Sequence, residues 1–296
     1  MCRDVQDYLA KLKKELGRDA DPALIQDALS DAETHLRTAL EEEFSKSPGV
    51  SETELLIPLV EKYGTPSEIA AAYLAIEAYV SPPLSHPPSP DTRSFLRKFF
   101  GVLAESRAWG AFFYMLLAFV PGIIFGGWAL FAGLISGFSL LFIIGLPIFG
   151  LYLLSLRGIA FLEGRIVEAL LGIRMPRRPL FLEKRLSWSD RYIALVKDAY
   201  SWRTLAYAVL LFPLGLIYSG LFSLLFVFSL SFITSPILEL AFRIPLDLFG
   251  DNIFTPVWFL PIVCIAGFIL LPLTFHLAKL VGKIHGRFAK AMLVRK

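Results

Sequence analysis

Cysteine is nearly absent from this sequence of 296 residues: Cys2 stands at the extreme N-terminus and Cys264 in an apolar run. Neither a disulfide framework nor a cysteine-built metal cluster is therefore expected. The four histidines, His35, His86, His276 and His285, are scattered, and none has a second ligand at a metal-binding spacing. A glycine-rich phosphate loop, a Gly-x-Ser-x-Gly elbow and a His-Glu-x-x-His pair are all missing. The expectation is a protein that is not an enzyme, with no catalytic residues, metal site or cofactor. The polar opening from Met1 to Asp7 does not read as a secretory signal, so the N-terminus is expected to stay where it was made. Charge is sparse too. Only 19% of residues are charged, whereas 55% are hydrophobic and 26 are Phe, an excess that needs a non-aqueous solvent.

The charge that is present is divided. Met1 to Glu77 carries 8 Lys and Arg against 16 Asp and Glu, and the rest of the chain 21 against 10. A small acidic segment is thus joined to a basic, apolar one. In the acidic part, Val5, Tyr8, Leu9, Leu12 and Leu16 fall at helical spacing. Asp21-Pro22 starts a second helix and Ser51-Glu52-Thr53-Glu54 a third, while Thr65-Pro66 opens a fourth. Residues 1–80 are read as an acidic cytoplasmic helical bundle. Residues 81–92 are a proline-rich linker, with five prolines between Ser81 and Pro90. Residues 93–296 form the membrane domain.

No charged residue occurs between Arg107 and Arg157, and further uncharged runs follow Arg203 and Asn252. A span needs about 20 apolar residues. Four transmembrane helices are predicted, near 109–132, 138–156, 204–228 and 254–278, with a turn around Gly133–Gly137 and a bend at Pro236. Arg93–Arg107 reads as an amphipathic helix on the membrane surface. Lys and Arg number 4 in Arg93–Arg107, 10 in the basic loop 157–203 and 6 in the tail from Lys279, against Arg243 alone in the outer loops. That asymmetry predicts both termini on the cytoplasmic side of a bacterial inner membrane. A duplication is visible as well. Trp109, Tyr114, Phe119, Pro121 and Gly122 are echoed by Trp202, Tyr207, Phe212, Pro213 and Gly215. The fold class is all-α: a polytopic membrane protein in two parallel repeats behind a small helical bundle.

Two family resemblances rest on these residues. Tyr8 to Leu74 resembles the HAAS domain through Tyr8-Leu9-Ala10-Lys11-Leu12, the acidic second helix, and Tyr63-Gly64-Thr65-Pro66-Ser67-Glu68-Ile69-Ala70. The last piece is close to that family's Gly-x-Pro-x-Glu-x-Ala ending. Gly110 to about Phe242 resembles the "Putative sensor" domain attached to bacterial histidine kinases. The shared features are the repeated pair of spans, Gly145-Leu146-Pro147, the run Arg157 to Glu163, Ala169 to Ile173, and the second opening at Trp202. The resemblance implies a regulatory role and supplies no ligand. Unlike the kinases that carry this domain, the chain is expected to lack a kinase, phosphoacceptor or ATP-binding module after Lys296, so signalling is not expected to run through phosphorylation by this chain.

Within the spans ionisable residues are nearly lacking, and His276 is the single candidate. The strongest candidate surface is the basic loop, where Arg174, Arg177, Arg178, Lys184 and Arg185 would contact anionic lipid or dock the acidic bundle. Plain positive-inside topology accounts for the same residues equally well. The reading is a non-catalytic sensor or regulatory adaptor coupling a membrane or envelope signal to the cytoplasmic bundle. The alternative is an accessory or permease subunit of a transport complex. Expected partners are membrane lipids, a regulatory or membrane protein and a second copy of the chain in a homo-oligomer, but not nucleic acid.

Overall fold

A computed structural model describes residues 3–17, 20–46, 50–79, 84, 94–142, 145–178, 188–244, 246–248, 251–253 and 256–295. Four helices make the front bundle: α1 (Val5–Leu16), α2 (Pro22–Lys46), α3 (Glu52–Tyr63) and α4 (Pro66–Tyr79). Val5, Tyr8, Leu9, Leu12 and Leu16 of α1 bury one face against Ala28, Ala32, Leu36 and Leu40 of α2, Leu56 of α3 and Ala70 of α4. Asp21 caps α2 by accepting from the Ala23 amide at 2.9 Å, and Ser51 caps α3 by accepting from that of Glu54 at 3.4 Å.

The Gly-Thr-Pro-Ser-Glu-Ile-Ala segment has a physical explanation at each key position. Gly64 ends α3 at φ 117°, a conformation that disfavours a side chain. Thr65 then begins a reciprocal cap with Glu68, whose Oε2 accepts from the Thr65 amide and hydroxyl, both at 2.8 Å. The backbone hydrogen bond to Glu68 also holds its carboxyl below the usual carboxylate range. Pro66 occupies the first helical turn and Ala70 is buried. The fully buried Tyr8 hydroxyl donates to the Gly64 carbonyl at 2.8 Å, tying the first helix to this corner. Tyr8→Phe should cost the bundle about 1 kcal/mol, read as a lower denaturation midpoint with unchanged helicity.

Helix α5 (Phe95–Gly101) leads into the membrane domain, with Phe95 77% and Leu96 66% exposed. Such apolar exposure suits a helix lying against lipid rather than water. Among the described residues four helices are long and apolar enough to cross a bilayer: α6 (Ser106–Ser139), α7 (Gly145–Leu171), α9 (Ala199–Phe242) and α10 (Leu260–Leu293). A short α8 (Trp188–Lys197) precedes α9. A two-stranded antiparallel hairpin, β1 (Leu246–Leu248) with β2 (Asp251–Ile253), joins α9 to α10, Leu246 facing Ile253 in register.

Three expectations change. Gly133 and Gly137 do not make the first turn, because α6 runs on to Ser139. Gly133 instead faces the Tyr152 side chain, whose hydroxyl donates to the Ala129 carbonyl at 2.8 Å, so here glycine permits close helix contact. The second span is consequently shifted: α7 begins at Gly145 and takes Arg157 and Glu163 into the helix. The helix of the third span is not broken at Pro236. Helix α9 continues for 44 residues and closes at Arg243 in the left-handed conformation, φ 57°. In α6, the π-helical turn Gly122–Gly126 follows Pro121, where the missing amide loosens the ladder.

Candidate functional site

The duplication extends into the contacts. Trp109 and Trp202 each donate through Nε1 to a carbonyl six residues earlier, Leu103 and Val196, both at 2.7 Å. Glu105 precedes α6 and pairs with Lys279 of α10; Asp198 precedes α9 and pairs with Arg157 of α7 at 2.8 Å. The start of each repeat's first helix therefore pairs with the second helix of the other repeat. Arg157, 6% exposed, is tolerated in the span helix because Asp198 neutralises it and Tyr200 lies 5.9 Å from its guanidinium. Where α6 crosses α9, Gly122 faces the Leu211 carbonyl and Gly215 faces that of Ala118. Exchanging the two repeats maps each of these contacts onto the other.

At the centre of this arrangement is a buried polar cluster. The Tyr114 hydroxyl lies 2.7 Å from both Glu163 Oε1 and His285 Nε2, and the Tyr207 hydroxyl lies 3.1 and 3.2 Å from the same two atoms. Tyr218 meets the His285 ring edge-on at 5.4 Å. Glu163 and His285 are 0% and 1% exposed, which sets them beside Arg157, Glu168 and Glu239 among the buried ionisable residues of the span helices. His276 instead stacks on Phe99 and contacts its carbonyl at 3.2 Å. A sequence signal for the pair existed: Glu163-Gly164-Arg165-Ile166-Val167-Glu168-Ala169-Leu170-Leu171 parallels His285-Gly286-Arg287-Phe288-Ala289-Lys290-Ala291-Met292-Leu293. The repeat is legible in the second helices once their charged ends are included.

The acidic bundle sits on the end of the membrane domain formed by the segment after α7 and the end of α10. Asp27 is the centre: its carboxylate accepts from the Arg174 guanidinium at 2.8 Å, the Arg177 amide at 2.8 Å and the Arg178 amide at 2.9 Å. Arg174 also reaches Glu77 of α4 at 2.7 Å, and Arg178 pairs with Asp31 at 2.9 Å. Arg177 turns its side chain to Glu168 at 3.0 Å. Lys290 meets Asp21, and the Arg295 amide donates to Gln26 Oε1 at 2.8 Å. Between these polar contacts Ala23 is buried in the same apolar cluster as Met175, Leu293 and Val294.

Burial pushes the Asp27 carboxyl up, against the pull of the Arg178 amide and Arg174. Around Arg174, burial opposes the charge, yet Glu77 and Asp27 outweigh it and hold the guanidinium pKa above its ordinary value. Asp27 and Arg174 are each 8% exposed at the side chain, which makes this a dry contact rather than a solvent-screened one. Arg174, Arg177 and Arg178 are thus brought together on the bundle. Lys184 and Arg185 lie outside the described residues. Of the partners on the bundle side, Asp27, Asp31 and Glu77 are legible in the sequence only as unresolved negative charge.

A family model described as "Putative sensor" matches residues 114–293, and one described as HAAS matches residues 7–72. No curated protein and no solved structure matches the chain. The sensor match takes in all four members of the buried cluster as well as the loop arginines, and the HAAS match takes in Asp21, Asp27 and Asp31. The Asp27–Arg174 pair therefore joins one matched segment to the other.

Proposed function

The chain belongs to this sensor family, with a HAAS domain ahead of the membrane helices, and from that premise we propose a non-catalytic bacterial membrane sensor or regulatory adaptor. In this reading the membrane domain receives a membrane or envelope signal, and the HAAS domain is the output that a regulatory protein reads. The protein resides in the cytoplasmic membrane with both termini on the cytoplasmic side, a topology supported by the one-sided distribution of Lys and Arg. The observation that carries the proposal is the Asp27 carboxylate, held by one guanidinium and two backbone amides from the other domain.

Docking of this kind suits a switch. The two partners share one chain, so their effective concentration is high and modest contacts keep the docked state populated. A signal that favours the undocked state by about 1.4 kcal/mol changes the ratio of the two tenfold. Undocking exposes Asp27, Asp31 and Glu77 together, an acidic face for a partner.

The test is recovery of partners from native membranes in mild detergent, using the intact protein, an Arg174→Asp variant and a chain lacking residues 1–79. The expected result is a regulator bound more by Arg174→Asp than by the intact protein and lost with the deletion. Equal recovery by all three would sink the adaptor reading.

A further inference from the structure

The buried cluster has too few protons for its charge. Each tyrosine hydroxyl owns one proton and touches both Glu163 Oε1 and His285 Nε2. If both hydroxyls donate to the carboxylate, their oxygens need a donor in return, and the imidazole supplies it only as Nε2–H. With Nδ1 bare, the cluster then carries the full negative charge of Glu163. Two neutral arrangements exist: His285 is an imidazolium, or Glu163 is a carboxylic acid. Both contain one proton more than the charged one.

Among the described residues nothing else neutralises the carboxylate. The groups facing it are Tyr114 from α6, Tyr207 from α9 and, across the hydroxyls, His285 from α10, with Tyr218 of α9 against the imidazole. Among the described residues no Lys or Arg contacts Glu163, and its Oε2 and the His285 Nδ1 are buried without a hydrogen-bond partner. An unpaired carboxylate away from water is costly enough that a site of this kind takes up a proton or a cation.

The geometry points to a proton-binding site between the two repeats, in which Glu163 and His285 share a single proton and the two tyrosines relay it. The four groups come from all four span helices, so an occupied site fastens α6, α7, α9 and α10 to one another. Both helices that carry the pair continue to the docking surface: Glu168 of α7 meets Arg177, and Lys290 of α10 meets Asp21. A ligand as small as a proton thus acts beside the HAAS contact.

Thermal unfolding of the full-length chain in lipid nanodiscs, followed from mildly acidic to alkaline pH, tests this. The wild type is expected to lose thermal stability as the proton is withdrawn. Glu163→Gln, which is neutral at every pH, should lose that dependence, and a decline of the same size in this variant overturns the site. Should Glu163→Gln fail to fold, Tyr114→Phe decides. Removal of one hydroxyl donor should displace the pH at which the decline begins, and an unmoved onset overturns the proposal. Stabilisation that requires added sodium or a divalent cation rather than acidification also overturns it.

Discussion

Replacing Asp27 by alanine should release the HAAS domain from the membrane domain while leaving both folded. The substitution removes the carboxylate that satisfies the Arg177 and Arg178 amides and one of three acceptors of the Arg174 guanidinium, the others being Glu77 and the Met175 carbonyl. Breaking a buried pair by deleting one partner costs about 3–5 kcal/mol, because the other charge stays desolvated. Glu77 still holds Arg174, so the lower end applies. About 3 kcal/mol corresponds to a shift of roughly a hundredfold in the docked-to-undocked ratio. Hydrogen exchange reads this directly: protection of the Arg177 and Arg178 amides should fall by that order. Asp7→Ala, which removes an exposed pair with Lys11 inside the bundle, should leave both amides unchanged. Undiminished protection in Asp27→Ala would show that other contacts hold the domains together.

The second large effect concerns the crossing of α6 and α9. A methyl group at Gly215 would run into the Ala118 carbonyl, and one at Gly122 would lie 2.9 Å from the Leu211 carbonyl oxygen. Backbone atoms on both sides leave nothing flexible to yield. Overpacking of this kind costs about 1–3 kcal/mol or more, and here it also spreads Tyr114 from Tyr207 and loosens the buried cluster. Gly215→Ala should therefore lower the unfolding temperature in nanodiscs markedly. Gly220→Ala lies in the same helix, where an added methyl group meets nothing within 4 Å. It should be neutral or stabilising, by up to about 1 kcal/mol. Similar behaviour of the two variants would contradict the close crossing.

Much of this architecture is legible from residue pattern alone. Caps at Asp21 and Ser51, the Thr65-Pro66 start and the burial face of α1 follow from local rules that act within a few residues. The four spans follow from uncharged length. What local rules miss is where a glycine is spent. Gly133 looks like a turn residue until Tyr152 is seen against it, and the second span then shifts to include Arg157 and Glu163. Counting charges against a span fails for the same reason: Arg157 is neutralised by Asp198, far away in sequence. The opening duplication at Trp109 and Trp202 can be read, yet the matching one at Glu163 and His285 joins unlike residues whose kinship shows only through the glycine, arginine, alanine and leucine around them. The basic loop stands out by composition, and the acidic face that meets it does not, because sixteen acidic residues are spread from Asp4 to Glu77 and only the folded bundle selects among them.

The most direct test of the docked arrangement is a cross-link between α2 and the end of the chain. Gln26 accepts from the Arg295 amide at 2.8 Å, so cysteines placed at these two positions, in a chain with Cys2 and Cys264 replaced by serine, stand across the interface. Oxidation in native membranes should join them efficiently within one chain, and adding Arg174→Asp should sharply reduce the yield. Absence of the cross-link, or a yield that Arg174→Asp does not change, would contradict a HAAS domain held on the membrane helices by Asp27 and Arg174.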